Sequence, residues 1–428
     1  MPQRNCNRER TEVAKRNQRV VLAIGLEEYQ QMASDGVRFR AWLDNEIAMH
    51  PELFPSEIAQ GYELHDILPE SRKMPGVRLR RIKLKARNDE GQQEVLTIAS
   101  SAVMPGMTGL TDAIEKALFL RRFNVPFWAL AYVFGRNASY WERIAARFGR
   151  LEIVGTTVKD ADKLPEHALA DEKHVHFNGE KGYIATTVGD DCILGVSLAL
   201  SADEAALTQA YRVFQKEARH LKPEYAPKTV NTDGWQATQN AWQTLFATIV
   251  VIECFLHAFI KIRDRCQKRL KALFPTIQQY VWDIYHADTP ADFRQQVADL
   301  LVWSRQAVSG TALEAIEKLC AKQDAFLLAF DFPDAYRTSN MIDRHMDPMD
   351  RWLVSAHFFH GDWSSAEQQI RSWAILHNFW PYCPRTRVRQ TFISPAHKLN
   401  GFVYHDNWLH NLLISSSCAG IKTAYRIQ

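Results

Sequence analysis

Apolar and polar positions in the first hundred residues predict a mixed region of helices and strands. Residues 20–62 have the pattern of short helices, one of them over 37–48. Apolar side chains then alternate with polar ones over 77–100, on both sides of a polar turn at 88–91. Alternation interrupted by turn residues is typical of a β-hairpin, which we expect here.

Three short helices are predicted next, over 112–122, 127–134 and 138–148, with Thr111 and Asn137 as the expected N-caps. Gly135 separates the last two helices, which is typical of a helix-turn-helix. Three arginines on or just beyond its second helix are candidate DNA contacts: Arg143, Arg147 and Arg150. Three-helix bundles that do not bind DNA have the same pattern, so both interpretations stay open.

The pattern changes to strands after residue 170. Three antiparallel strands are expected over 172–178, 183–188 and 192–200, followed by an amphipathic helix over 202–220 that Ser201 can cap. A strand at 229–232, a helix at 235–246 and a strand at 248–253 complete the series. This order of elements is that of a ribonuclease H-like domain, so we expect an α/β fold with a mixed sheet.

Nearly all of the remaining pattern is helical. It predicts a large all-helical insertion over 258–332, after which helices at 337–359 and 364–376 return to the main domain. The expected organisation is an N-terminal basic or mixed region at 1–108, a helix-turn-helix region at 109–165, the first part of the catalytic core at 166–257, the insertion at 258–332, and the last part of the core with the C-terminal region at 333–428.

Composition excludes some classes of protein but does not identify this one. The chain has 428 residues, 46% hydrophobic and 24% charged, and a net charge of only +3, which is ordinary for a globular protein. Basic residues are nevertheless concentrated in residues 1–19 and 78–87, and such runs either follow phosphates or form solvated faces. The seven cysteines include no CxxC pair, so neither a disulfide scaffold nor a zinc finger is expected. We expect a cytoplasmic protein with no membrane partner, since no apolar stretch reaches spanning length.

Candidate chemistry lies in the acids at the strand ends. Asp171 opens the first predicted strand of the sheet and Asp233 follows the fourth, and these two strands are neighbours in a ribonuclease H-like sheet. Carboxylates there can hold two Mg²⁺ ions about 3.5–4 Å apart for phosphodiester chemistry. Acids at strand ends are also common as turn or cap residues. Spacing alone leaves six candidates for a third acid: Glu314, Glu317, Asp324, Asp331, Asp334 and Asp343.

Several short segments resemble bacterial insertion-sequence transposases, most closely the Mutator-like superfamily of DDE transposases. The segments are Ala170-Asp171-Glu172-Lys173-His174, Tyr183-Ile184-Ala185-Thr186-Thr187-Val188, Asn231-Thr232-Asp233-Gly234-Trp235 and Cys254-Phe255-Leu256-His257. Cys254 follows Asp233 by 21 residues, as in the Cys/Asp-x-x-His motif of that group. The resemblance covers roughly residues 110–410.

The resemblance implies a metal-dependent DNA transposase that cleaves transposon ends and joins them to target DNA. The third acid would be Asp343, in Thr338-Ser339-Asn340-Met341-Ile342-Asp343-Arg344, where the group usually has Glu. Asp171, Asp233 and Asp343 would bind two Mg²⁺ ions, with Mn²⁺ as a substitute, and Trp235, Cys254, His257 and Asn340 would support them. A homo-oligomer on DNA, in the nucleoid of a bacterial cytoplasm, is expected. A transposase-derived DNA-binding protein and a stand-alone nuclease of the same fold are the alternatives.

A C-terminal segment combines basic and aromatic residues. Residues 378–389 include Trp380, Tyr382, Arg385 and Arg387, and such mixtures bind phosphates and stack on unpaired bases. Arg385 and Arg387 are therefore further candidate DNA contacts. A proline-rich surface connection is the alternative interpretation.

Overall fold

A computed structural model, which describes residues 18–87, 91–266 and 270–421, shows a mixed α/β protein built on two sheets. The first sheet has the order β1-β4-β3-β2, with strands Arg19–Leu22, Tyr62–Ile67, Arg80–Arg87 and Gln93–Ser100 as β1 to β4. β1 is parallel to β4, and the other neighbours are antiparallel. The predicted hairpin is confirmed as β3 and β4, although residues 88–90 of its turn lie outside the described residues.

Two helices cover this sheet, α1 (Leu26–Ser34) and α2 (Gly36–Met49). The helix predicted over 37–48 is confirmed as α2, which Asp35 caps by accepting from the Val37 and Arg38 amides. The basic run of β3 is partly paired, because the Arg81 guanidinium binds Asp66 and Arg80 lies over the Phe39 ring at 5.4 Å. Arg80 and Arg81 therefore have structural contacts in addition to their charge.

The next helices are α3 (Thr111–Leu120), α4 (Phe127–Phe134), α5 (Ala138–Arg147) and α6 (Ile153–Thr157). Asn137 caps α5 as predicted, accepting from the Tyr140 amide at 2.8 Å. The prediction that Thr111 caps α3 is wrong: the N-cap is Leu110, and the Thr111 hydroxyl donates to the Ser101 carbonyl at 2.6 Å. The buried Thr111 side chain thus joins α3 to the end of β4.

The second sheet has the order β7-β6-β5-β8-β9. Its strands are His167–Phe177, Glu180–Gly189, Cys192–Ala199, Thr229–Thr232 and Val250–Glu253, as β5 to β9. β5, β6 and β7 form an antiparallel meander, whereas β8 is parallel to both β5 and β9. Helices α7 (Glu204–Leu221) and α8 (Gln236–Leu245) connect β7 to β8 and β8 to β9. The predicted Ser201 cap is wrong, because Asp203 accepts from the Ala206 amide and caps α7.

Different helices cover the two faces of this sheet. One face packs on α7 and α8 around the buried aromatic residues Tyr211, Phe214, Trp242 and Phe246. The other packs on the helices α14 (Asn340–Ser355) and α15 (Trp363–Phe379), whose core is continuous with that of the first sheet. Adjacent side chains of β5 therefore pack against different sets of helices, and this separates Asp171 from Glu172.

A separate core holds the predicted helical insertion together. Its helices are α9 (Phe255–Cys266), α10 (Phe274–Tyr285), α11 (Pro290–Ala307), α12 (Thr311–Ala321) and α13 (Gln323–Asp331). Buried side chains between Phe255 and Leu327 form this cluster. The sequence therefore predicted the helical character of this segment correctly.

The C-terminal helices α16 (Pro384–Arg387), α17 (Pro395–Asn400) and α18 (Trp408–Ser415) follow α15. Short 3-10 helices occur at Pro51–Leu53, Ser56–Gln60, Arg121–Phe123, Phe148–Arg150, Ala161–Lys163 and Ser417–Gly420. None of the described helices is long and apolar enough to cross a membrane.

Two buried contacts join distant parts of the chain. Arg371 of α15 forms an ion pair with Glu217 of α7 at 2.5 Å, and Glu217 also accepts from the amides of Ile153 and Val154. The Val21 amide of β1 donates to the Ser417 hydroxyl at 3.0 Å. The C-terminal segments thus complete both the central core and the first sheet.

Candidate acidic site on β5 beside the end of β8

Asp171 and Asp233 occupy matching positions on neighbouring parallel segments. β5 and β8 pair up to Leu169 opposite Asn231, and each acid comes two residues later in its own segment. Burial and then the negative charge of Asp233 raise the pKa of Asp171 to about 6, from an ordinary value of 3.8. Like charges that share a site have this effect, so the two carboxyl groups are close neighbours.

A backbone amide orients each of these carboxylates. The Glu172 amide donates to Asp171 Oδ1 at 2.8 Å, and the Trp235 amide donates to Asp233 Oδ1 at 2.9 Å. Gly234, between Asp233 and Trp235, has a φ of +89°, a conformation that favours glycine. The Asp-Gly-Trp turn therefore fixes the direction in which Asp233 leaves the sheet.

The third acid comes from α14, in whose first turn Asp343 lies. Its Oδ2 atom accepts from the Ser339 hydroxyl at 3.0 Å, and its negative charge also raises the pKa of Asp171. Asn340 begins the same helix with an exposed side chain. The structure thus brings the three sequence-predicted acids to one edge of the sheet.

The segment that leads into α14 is fixed on the ends of β8 and β9 by three hydrogen bonds. The donor and acceptor pairs are Asn231 Nδ2 and Tyr336 O at 2.9 Å, Phe255 N and Arg337 O at 3.2 Å, and Ser339 N and Cys254 Sγ at 3.2 Å. Asn231, Cys254 and Ser339 are all buried. The start of α14, and with it Asp343, is therefore held by the strands that carry or adjoin the other acids.

Cys254 and His257 lie beside the acids. Interaction with Cys254 raises the pKa of His257 to about 9 against the opposing effect of burial, and the charges of Asp233 and Asp171 add to the increase. Burial by itself would raise the pKa of the Cys254 thiol, but its contacts with His257 and Ser339 lower it below the ordinary value. Both shifts favour the charged forms of the pair, and a protonated His257 would offset part of the negative charge of the carboxylates.

Sequence reasoning missed a buried acid on the opposite face of β5. Glu172 Oε1 accepts from the Tyr211 and Thr238 hydroxyls, both at 2.6 Å. Burial is the main cause of a pKa raised to about 7. The alternation of side chains along a strand is the signal that separates Glu172 from Asp171, because adjacent residues point to opposite faces.

A second missed acid, Glu253, lies beside Gly234, the residue after Asp233. Glu253 ends β9 and binds Lys322 at 2.5 Å, and a side chain added at Gly234 would meet both groups at 3.3 Å. Lys322 thus brings a positive charge from the insertion to the edge of the acidic site. The Trp235 side chain packs instead on Tyr183 of β6, with the two ring centroids 5.8 Å apart.

Three further acids, Glu317, Asp190 and Asp191, lie away from this site. Glu317 pairs with Arg305 on the surface of the insertion. Asp190 and Asp191 form the tight turn between β6 and β7, where both have positive φ angles. Asp191 accepts from the Tyr382 hydroxyl at 2.9 Å and from Lys398 at 3.3 Å. This turn adjoins the N-terminal end of β5, whereas Asp233 follows the C-terminal end of the parallel strand β8, so the two lie at opposite ends of these strands.

The predicted DNA-binding arginines lie outside the acidic site. Arg143 of α5 and Arg150 just beyond it are exposed, whereas Arg147 is half-buried with its guanidinium against Gly106. Arg385 and Arg387 are exposed on α16. Four of the five side chains are therefore accessible to a polyanion.

The acidic site is suited to a hard cation, because Asp171, Asp233 and Asp343 offer only oxygen ligands. Within the described ranges, no three His, Cys, Asp or Glu side chains are already arranged to bind one ion. Mg²⁺ usually keeps several water ligands and is held by one or two carboxylates, so these acids fit it as a donor set. In comparisons with known proteins, no family model and no curated protein matches this chain.

Proposed function

We propose that this protein is a metal-dependent DNA transposase with a ribonuclease H-like catalytic domain. The observation that carries the proposal is geometric: strand register places Asp171 beside Asp233, and the segment that leads to Asp343 is hydrogen-bonded to Asn231 and Cys254 next to them. Such a set, held on a rigid sheet, provides the oxygen ligands that two-metal phosphodiester chemistry requires.

The topology of the second sheet supports this assignment. Its order is β7-β6-β5-β8-β9, with the first strand of an antiparallel meander, β5, next to two parallel strands. These are the three antiparallel strands, helix, strand, helix and strand that the sequence pattern predicted for a ribonuclease H-like domain. A large helical insertion before the helix that carries Asp343 also agrees with the transposase resemblance.

The residues of the site have separable tasks in this proposal. Asp171 of β5 and Asp233 after β8 would hold Mg²⁺ or Mn²⁺, with Asp343 of α14 as the third ligand. The metal would supply a lowered pKa for a bound water molecule and positive charge opposite the phosphoryl transition state. Ser339 orients Asp343, and a protonated His257 would limit repulsion among the acids before DNA and metal arrive.

DNA is the expected substrate and partner. We assign α4 and α5 to a helix-turn-helix whose exposed Arg143 and Arg150 contact the phosphates of the transposon end. Arg385 and Arg387 provide a second set of phosphate contacts. The acids and the arginines are on different elements, so cleavage and binding can be tested separately.

A cleavage assay tests the catalytic part of the proposal. Supercoiled plasmid carrying the DNA that flanks the gene is incubated with protein and Mg²⁺, and nicked, linear and joined products are separated. Asp171→Asn, Asp233→Asn and Asp343→Ala are each expected to lose cleavage and to keep DNA binding. Asp288→Asn is the matched control, because Asp288 is an exposed acid in the insertion.

The products also distinguish the alternative functions. Cleavage without joined products would identify a nuclease of the same fold. Sequence-specific binding of the flanking DNA without any cleavage would identify a DNA-binding protein derived from a transposase. Full cleavage by all three variants at the acidic site would reject this site as the catalytic centre.

A further inference from the structure

An unusual exposed aromatic surface lies on α4 and the turn before it. Phe123, Trp128, Tyr132 and Val133 are 63%, 69%, 87% and 66% exposed, within eleven residues of sequence. Scattered apolar residues on a surface are normal, but a cluster of large ones marks an interaction site. We call Phe123, Trp128, Tyr132 and Val133 the aromatic face.

The charges around the aromatic face are almost all positive. Residues 121–150 contain six arginines and a single acid, Glu142. Two of these arginines already lie over aromatic rings, Arg121 over Phe127 at 4.2 Å and Arg136 over Tyr140 at 5.6 Å. This charge favours a partner that carries negative charge as well as apolar surface.

The fold brings a second basic segment to the same region. Arg122, next to Phe123, donates a hydrogen bond to the carbonyl of Pro381, which is 259 residues away. Three arginines and no acid occupy residues 381–390, and Arg387 lines a cavity together with the acids Glu115 and Asp406. The exposed arginines of α16 thus lie near α3 and the 3-10 helix that ends at Phe123 of the aromatic face.

We infer that the aromatic face and the α16 arginines together bind an unpaired DNA strand. Bases in a duplex have their ring faces covered by neighbouring bases, so exposed aromatic side chains gain stacking energy only from bases that are unstacked. The arginines would follow the phosphates of the same strand. This inference rests on the proposed function, since strand cleavage and joining expose unpaired DNA next to the acidic site.

Binding of a labelled oligothymidylate and of a labelled duplex, followed by fluorescence anisotropy, tests the inference. The variants are Trp128→Ala/Tyr132→Ala and Arg385→Ala/Arg387→Ala. Val302→Ala/Arg294→Ala is the control, because both residues are exposed on α11 of the insertion. The aromatic variant should lose affinity for the single strand by about tenfold or more, and its affinity for the duplex should change by less than about threefold.

The arginine variant should show a weaker salt dependence. Removing two phosphate contacts lowers the slope of log affinity against log salt by about 1.4 for a single strand. For the aromatic variant, equal losses of affinity for duplex and single strand, or no loss, would overturn the inference. Dissociation of an oligomer by Trp128→Ala/Tyr132→Ala in sedimentation, with single-strand affinity unchanged, would reassign the aromatic face to self-association and also overturn it.

The inference and the proposed function can fail independently. Asp171→Asn should bind the oligothymidylate like the unmodified protein, because Asp171 is not part of the aromatic face. Tight single-strand binding that needs Trp128 and Tyr132, in a protein that never cleaves DNA, would sustain the inference and reject the transposase. Cleavage and joining with no single-strand binding would sustain the transposase proposal and reject the inference.

Discussion

Replacing Asp171 by Asn should stabilise the metal-free protein at neutral pH. The Asn Oδ1 atom can still accept from the Glu172 amide, so the local geometry is kept while the negative charge is removed. Because the folded-state pKa of about 6 is above the ordinary 3.8, ionised Asp171 destabilises the folded state. This penalty is full above pH 6 and disappears below pH 4, where the carboxyl is protonated in both states.

The size of the effect follows from that pKa difference. At pH 7.5 it corresponds to about 3 kcal/mol of unfolding free energy, and at pH 4.5 to about 1 kcal/mol. Part of it comes from repulsion by Asp233, which Asn also relieves. Stability should therefore increase by an amount that shrinks as the pH falls.

Urea denaturation with EDTA present, at pH 7.5 and at pH 4.5, measures this change for Asp171→Asn. The control is Asp288→Asn, for which we expect a change within about 0.5 kcal/mol because Asp288 is exposed. A less stable Asp171→Asn protein at pH 7.5, or a gain as large at pH 4.5, would refute the conclusion that burial and Asp233 perturb this carboxyl.

Three further predictions concern contacts around the site and the core. Asp343→Glu should retain part of the cleavage activity, since the longer acid keeps its oxygen ligands but changes the geometry at Ser339; activity equal to that of Asp343→Ala would contradict this. Ser339→Ala should raise the Mg²⁺ concentration for half-maximal cleavage several-fold with a smaller effect on the maximal rate, because Asp343 loses its orienting hydroxyl; Cys254→Ser, which keeps an acceptor for the Ser339 amide, should be milder in the same titration. Arg371→Met should lower the free energy of unfolding by about 3–5 kcal/mol, because Glu217 is left buried and unpaired; the double variant with Glu217→Leu should recover most of this in urea denaturation, and no recovery would argue against a charge effect.

Sequence patterns predicted the helices and strands well where periodicity was strong. The helix at 127–134 and the strand at 229–232 have the bounds that were expected. β1 and β2 were missed, since β1 is four residues long with Val20, Val21 and Leu22 all buried, and so shows no alternation. The caps at Thr111 and Ser201 were misplaced because tertiary contacts and a second suitable residue, Asp203, decided the boundary.

The acidic site was predictable only in part. The prediction that Asp171 opens its strand was wrong, because β5 begins four residues earlier, at His167. This earlier start places Asp171 inside β5, level with Asp233 beyond the end of the neighbouring parallel strand β8. Lys322 and Glu253 were not predicted, since nothing in the spacing of residues 253 and 322 indicates that an insertion folds back onto Gly234. The pairing of Ser339 with Cys254 depends in the same way on a loop path that local patterns do not contain.

The hydrogen bond between Val21 and Ser417 has a consequence for the order of folding during synthesis. The two residues are 396 positions apart. Because ribosomes add about 5–20 residues per second, Ser417 is synthesised roughly 20 to 80 s after Val21. Until then the Val21 amide lacks its buried acceptor, and the apolar side chains of β1 lack part of their cover. Nascent chains therefore pass through a long interval in which an incomplete sheet edge is open to pairing with other chains, and a chaperone that shields β1 should increase the yield of folded protein.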